Sequence, residues 1–293
     1  MKRTIEKKIQ AQASSDGDGV RIARSIGSRQ LVDIDPFLLL DELRSDDAAD
    51  YIGGFPPHPH RGFETITYML KGQMRHKDSA GNEGVIQAGD LQWMTAGSGI
   101  IHSEMPEQNE GSLWGFQFWL NLPASDKMRA PRYQEIASQK IPELRLLASD
   151  GGDIQSEAAE GKVRVLAGSV EHKGQTIIGA ATDIVTQPVL LDVQLDAGQW
   201  STALPSQHTA LVYVYRGSLA IAGSHMQEQQ LAVLSPGDEL TLFAKEGGFG
   251  ALVMAAQAID EPIARSGPFV MNTEQEVAQA FDDYRQGRLV QAV

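Results

Sequence analysis

The 293-residue chain contains no cysteine. That absence excludes disulfides, thiol nucleophiles, iron–sulfur clusters and cysteine-based zinc sites, and leaves nitrogen and oxygen as the donors for any metal. Histidine is scarce as well, at seven residues, so two of them one residue apart in "FPPHPHRGFETITYMLKG", residues 55–72, need a reason. No apolar run approaches the ~20 residues of a membrane-spanning helix. The basic opening "MKRTIEKKIQ" has no apolar stretch behind it to act as a secretory signal, so the expected location is the cytoplasm, without membrane attachment. Positive charge is in deficit: 25 Lys and Arg face 38 Asp and Glu, for a net charge of −13. With the basic residues scattered, direct nucleic-acid binding is not expected, and the acidity is read as serving solubility. A Gly-x-Ser-x-Gly elbow, a P-loop and a His-Glu-x-x-His helix are all missing. Gly97-Ser98-Gly99 resembles part of a dinucleotide fingerprint, but His102 stands where the third glycine belongs and no β-α unit follows.

What is present is an ordinary globular composition, 42% hydrophobic and 22% charged, in a chain long enough for two domains. Short alternating runs such as "TITYMLKGQMRHKD", "LWGFQFWLNLP" and "LVYVYRGSLAIAG", bounded by Gly, Pro, Asp and Asn, predict antiparallel strands and an all-β fold. Lys71-Gly72 and Arg216-Gly217 are expected as hairpin turns. The stretch from about Ser125 to Gly161 lacks sustained alternation and reads as the inter-domain connection, with part of it packed or carrying a short helix. One segment has helical period: "TEQEVAQAFDDYRQGRL" offers a capping box from Thr273, apolar Val277, Phe281 and Tyr284 on one face, and Gly287 to end it. That C-terminal helix is expected to dock its apolar face on a β-domain.

The two halves share a grammar. "GVIQAGDLQWMTA" from Gly84 and "AVLSPGDELTLFA" from Ala232 align without a gap at an offset of 148, and Gly72 and Gly217 match at an offset of 145. The expectation is one barrel-like domain repeated, an N-terminal metal-binding domain over residues 1–135 and a C-terminal degenerate domain over residues 136–293 that carries the helix.

Residues two apart on a strand share a face, so His58 and His60 present both imidazoles to one side. A second spaced pair, His102 and Glu104 in "GSGIIHSEMP", does the same. Adjacent antiparallel strands would bring the pairs together around a metal, whereas four buried polar groups without an ion would lack partners. Carried across by the repeat offsets, the four positions fall on Ala203, Pro205, Gly250 and Leu252, so the second half has the scaffold without the donors. Spacing alone leaves Glu64 as a rival to Glu104, because regular alternation would set it on the face of His60. His76, His172, His208 and His225 stand alone and read as solvated or satisfied histidines. Phe55, Met69, Met74, Trp93, Met94, Phe116, Phe118 and Trp119 read as barrel filling.

"HPHRGFETITYMLKG", "GDLQWMTAGSGIIHSEMP" and "GPFVMNT" resemble the pirin family of the cupin superfamily, and the likeness runs from "DPFLLLDE" to "AFDDYRQGRL". The resemblance implies two tandem cupin barrels (double-stranded β-helix, jelly-roll) with the C-terminal α-helix. It also implies a metal site of His58, His60, His102 and Glu104 that usually holds non-haem iron, with Glu64 left to a supporting role. Some family members are similar to quercetin 2,3-dioxygenases, others to redox-linked transcriptional cofactors. Three imidazoles and a carboxylate suit one divalent transition metal, Fe(II) by the resemblance and Mn, Ni, Co or Cu by donor type, with a closed zinc site as the bland rival. Such a site carries a formal charge of +1 and favours an anionic oxygen donor. The expected activity is dioxygen-dependent cleavage of a flavonol such as quercetin, with Glu104 able to accept the substrate hydroxyl proton. The competing readings are a metal- or redox-sensing regulator that binds a transcription factor or enzyme as protein partner, and a cupin-type isomerase.

Overall fold

The first barrel mixes strands that alternate between a buried and an exposed face with strands buried along most of their length, Phe37–Ser45, Phe63–Lys71 and Leu91–Thr95. The computed structural model of the protein describes residues 1–146 and 159–290. After β1 (Ile5–Gln10) the chain runs through β2 (Gln12–Asp16), β3 (Val20–Ile26), β4 (Phe37–Ser45), β5 (Phe55–His60), β6 (Phe63–Lys71), β7 (Gln73–Asp78), β8 (Glu83–Gln87), β9 (Leu91–Thr95), β10 (Ile100–Pro106), β11 (Leu113–Asn121) and β12 (Arg132–Ile136). In β7, Met74, His76 and Asp78 are buried while Gln73, Arg75 and Lys77 are exposed, the period-two pattern of a strand with one wet face. β2–β12 form two antiparallel sheets, one ordered β5-β10-β7-β8 and the other β12-β9-β6-β11-β4-β3-β2.

The second barrel takes β13 (Glu143–Leu146), β14 (Glu160–Ala167), β15 (Ser169–His172), β16 (Gln175–Ile178), β17 (Val189–Ala197), β18 (Gln199–Ala203), β19 (His208–Ile221), β20 (Ser224–Gln227), β21 (Gln230–Leu234) and β22 (Glu239–Gln257). Its main sheet runs β1-β21-β19-β22-β17-β14-β13. One apolar cluster including Val193, Trp200, Val212 and Phe249 fills it. β23 (Ala264–Ser266), β24 (Phe269–Met271) and α1 (Glu274–Arg285) follow. No helix among the described residues is long and apolar enough to cross a membrane.

All-β architecture with two barrels and one α-helix near the C-terminus is therefore what the chain adopts among the described residues. Its compact units, however, are not contiguous in sequence. One comprises Gln12–Ser138 and Ile259–Val293, the other Met1–Ala11 and Gln139–Ala258. This differs from a single division at 135/136: the first strand belongs with the second barrel, where β1 pairs β21, and the helix belongs with the first. The helix does carry the expected capping box of Thr273 and Glu276, and it ends ahead of Gly287, at φ 69°. Val277 and Ala280 pack with Phe269, Met271 and Leu289, and with Ile101 of β10.

Part of the connecting stretch is packed and carries a short helical turn, as expected. β12 pairs β9, a 3-10 turn covers Ser138–Lys140, and β13 pairs β14; residues 147–158 of that stretch lie outside the described residues. Neither expected hairpin forms. β6 and β7 belong to different sheets, so Gly72 is a corner between sheets. Gly217 lies within β19, at a register shift against β22. There φ is +66° and a Cβ would sit 2.2 Å from the Gly248 carbonyl, so only glycine serves the bulge. The aligned "GD" segments do land on equivalent places, each joining a strand pair, β8 to β9 and β21 to β22.

Candidate metal centre

β5 and β10 are antiparallel neighbours, with His58 opposite His102. β7 lies on the other side of β10, where His76 faces Glu104 and Asp78 faces His102. The sheet order thus sets the histidine-bearing strands side by side. Donor nitrogens of His58, His60 and His102 all lie within 4.8 Å of one another, the only such cluster of His, Asp and Glu among the described residues. His60 and His102 are buried and His58 half-buried. Glu104 is buried and lines the same cavity as His58 and His60, but its carboxylate stands outside the histidine cluster and accepts from the Thr67 hydroxyl at 3.0 Å.

The arrangement fits a bound cation on its own chemistry. His58 Nε2 and His60 Nε2 face each other at 3.0 Å, and the buried His102 Nε2 has no hydrogen-bond partner. The opposite ring nitrogens are engaged: His58 Nδ1 with the Pro56 carbonyl at 2.8 Å, His60 Nδ1 with the Pro268 carbonyl at 3.4 Å, and His102 Nδ1 with His76 Nε2 at 2.8 Å. Hydrogen on each Nδ1 leaves the Nε2 lone pairs free to converge, the usual outer support of metal-binding imidazoles. Burial holds His58 below the ordinary histidine range and His60 and His102 well below it, with mutual repulsion of the rings adding to the effect at His60 and His102. All three are therefore neutral ligands in waiting at physiological pH. Burial pushes the Glu104 carboxyl up to about 7, against the opposing pull of the Thr67 hydrogen bond.

Glu64 is elsewhere. Its carboxylate accepts from Thr95 of the facing strand β9 at 2.6 Å. The continuous alternation assumed from His60 fails at Arg61-Gly62, between β5 and β6, where Gly62 has φ +88° and a Cβ would sit 2.0 Å from the Val270 carbonyl. Past that break, Thr67 reaches Glu104, so Glu64 has the opposite parity.

Two contributions escaped the sequence reading. His76, of the two alternatives solvated and satisfied, is the satisfied one, fully buried and paired with His102, and burial pushes it down to about 4; what was missed is its place beside the cluster, for which the one legible signal was the alternation Met74, His76, Asp78. The other is the C-terminal stretch. Pro268 sits against His60, and Arg61, next to His60, donates to Asp283 of α1 at 2.8 Å and to the Ser98 carbonyl at 2.6 Å. The buried Lys127 ammonium donates to Asn121 Oδ1 at 2.6 Å, the Gly62 carbonyl at 2.8 Å and the Val270 carbonyl at 3.0 Å, tying β24 to the corner that follows β5.

A cavity of about 560 Å³ opens from the histidines, within the ordinary range of small-molecule sites. Phe55 and Trp119, expected as filling, line it with Leu39 and Leu43, and the Trp119 ring lies 5.2 Å from that of His60.

Comparison with known families matches residues 19–120 to Pirin and residues 190–290 to the Pirin C-terminal cupin domain. A Vibrio cholerae protein named as a candidate quercetin 2,3-dioxygenase is 46% identical over 97% of both chains. Human pirin is 37% identical over 98% of this chain and 93% of its own. Among solved structures, a quercetin 2,3-dioxygenase from Acinetobacter baumannii superposes with a TM-score of 0.85 at 33% identity, covering 99% of each chain.

Proposed function

The chain belongs to the pirin family, and from that premise we propose that it is a metal-dependent dioxygenase with a non-haem iron centre that cleaves a flavonol such as quercetin. The observation that carries this reading is the buried, unpartnered Nε2 of His102 beside the facing Nε2 atoms of His58 and His60, at the end of an apolar-walled cavity. Relatives and a superposable structure named for quercetin dioxygenation support the substrate class.

In this reading His58, His60 and His102 hold the ion, with Glu104 as the fourth donor. The ion, when bound, supplies a Lewis-acid and redox centre for dioxygen and the oxygens of the substrate. The protein's own part is positioning. Leu39, Leu43, Phe55 and Trp119 receive the flat rings and exclude water, which brings an electron-rich enolate and dioxygen to one place. Glu104, which lines the same cavity, is suited to take the substrate's 3-hydroxyl proton.

The test is reconstitution without oxygen, using Fe(II) and then Mn, Ni, Co and Cu, followed by quercetin and measured dioxygen. The expected result is quercetin-dependent oxygen uptake with release of carbon monoxide. A protein that binds these ions tightly yet consumes no oxygen with any of them overturns the flavonol dioxygenase reading and favours the regulator.

A further inference from the structure

Of the five charged side chains lining the cavity, four are already engaged. Arg24 grips Asp41 with two bonds, Nε at 2.8 Å and a terminal nitrogen at 2.6 Å, and the same terminal nitrogen meets Asp16 at 2.6 Å. Glu104 takes the Thr67 hydroxyl. The fifth, Arg265, has no carboxylate within ion-pair distance among the described residues. One terminal nitrogen donates to the Leu38 carbonyl at 2.9 Å, and the guanidinium carbon stands 4.8 Å over the centre of the Trp119 ring. The rest of the fork has no protein acceptor.

Its placement is what matters. The His60 ring and the Arg265 guanidinium both contact the Trp119 ring, at 5.2 Å and 4.8 Å from its centre. Leu39, Leu43 and Phe55 line the same cavity as Arg265. A flat ligand in that cavity lies within reach of the Arg265 fork. A guanidinium pinned by a ring face and a carbonyl presents a planar donor fork that matches a carboxylate. Asp33, Asp41 and Asp16 act on Arg265 from beyond ion-pair distance, and none of them occupies its fork.

From this we propose that Arg265 selects the substrate: the ligand class is an aromatic acid whose carboxylate meets the Arg265 fork. The inference rests on the cavity being the substrate site, as in the proposed function, and it adds aromatic acids to the ligand class that the flavonol represents.

The probes are 2-naphthoate and its neutral, near-isosteric amide, 2-naphthamide, titrated calorimetrically into the full chain as purified and after removal of metal with chelator. In the chelated protein the naphthoate is expected to bind about five-fold or more tightly than the amide, a margin that narrows at high salt, since the guanidinium is solvent-accessible and partly screened. Arg265→Gln is expected to abolish the margin by weakening naphthoate alone, and Arg265→Lys to keep part of it, with circular dichroism spectra unchanged. Equal affinity for the two probes in the natural chain, binding of neither, or an undiminished margin in Arg265→Gln overturns the proposal. Because the chelated arm needs neither metal nor oxygen, a preserved margin without flavonol turnover would sink only the dioxygenase reading. Flavonol turnover without a margin would sink only this one.

Discussion

Replacing His76 by Leu removes one hydrogen bond and should cost the chain most of its hold on the metal. The bond, 2.8 Å from His76 Nε2 to His102 Nδ1, lies between two buried rings, so no solvent can replace it. Without an acceptor, hydrogen on His102 Nδ1 is a buried, unsatisfied donor, at about 1–3 kcal/mol. The alternative is a shift of that hydrogen to Nε2, which blocks the nitrogen that faces the other two histidines. Either way the penalty corresponds to roughly 10–100-fold in metal affinity, the usual scale for outer-sphere partners of a ligating imidazole. Leu fills the buried position without a polar atom, so the fold should persist. Competition for Co(II) against a chelating dye measures the affinity and circular dichroism checks the fold. His76→Gln, whose amide oxygen can accept, is expected to recover part of the loss. If His76→Leu binds Co(II) within two-fold of the natural chain, the supporting role of His76 is refuted.

Other outcomes follow from the same geometry. His102→Ala is expected to lose bound metal with an unchanged circular dichroism spectrum, whereas His208→Ala, in the second barrel, keeps its metal; elemental analysis of both proteins decides. In the metal-free protein His60, His76 and His102 bind protons less readily than unfolded histidines, whose value is about 6.5. Below that value protons on these histidines therefore favour the unfolded chain, an effect that grows as the pH drops toward 4, the level to which His76 is pushed, while the Glu104 carboxyl, pushed up to about 7, works in the opposite sense. In thermal melts, chelated His76→Leu protein should therefore lose less stability between about pH 6.5 and 4 than the natural chain, and equal losses would refute the His76 shift. Lys127→Met strands three buried acceptors and is expected to destabilise the first barrel by about 3 kcal/mol or more, read from urea unfolding.

The histidine pairs were legible because alternation is local: two residues on one strand share a face wherever the strand goes. His76 was not, since its meeting with His102 depends on β7 lying beside β10, a pairing that strand periodicity does not encode. Glu64 and Glu104 could not be separated by parity alone because the count breaks at Gly62, whose conformation answers to the distant Val270 carbonyl. The hairpin reading of Gly217 failed for a related reason: a bulge and a tight turn both demand positive φ, so the residue marks the irregularity without naming it. The repeat located both barrels but hid the exchange of their ends, because β1 and the final helix have no counterpart in the aligned segments. Least legible was Pro268, which meets His60 across 208 positions of sequence.

That last contact has a consequence for biogenesis. The segment holding Arg265, Pro268 and Asp283 is synthesised only after the whole of the second barrel, yet it belongs to the first. A ribosome that has finished the strands bearing all three histidines has still made only a lidless vessel. Assembly of the centre must wait for the segment around Pro268, so a nascent chain stalled in the second barrel carries the donors without the carbonyl that meets His60.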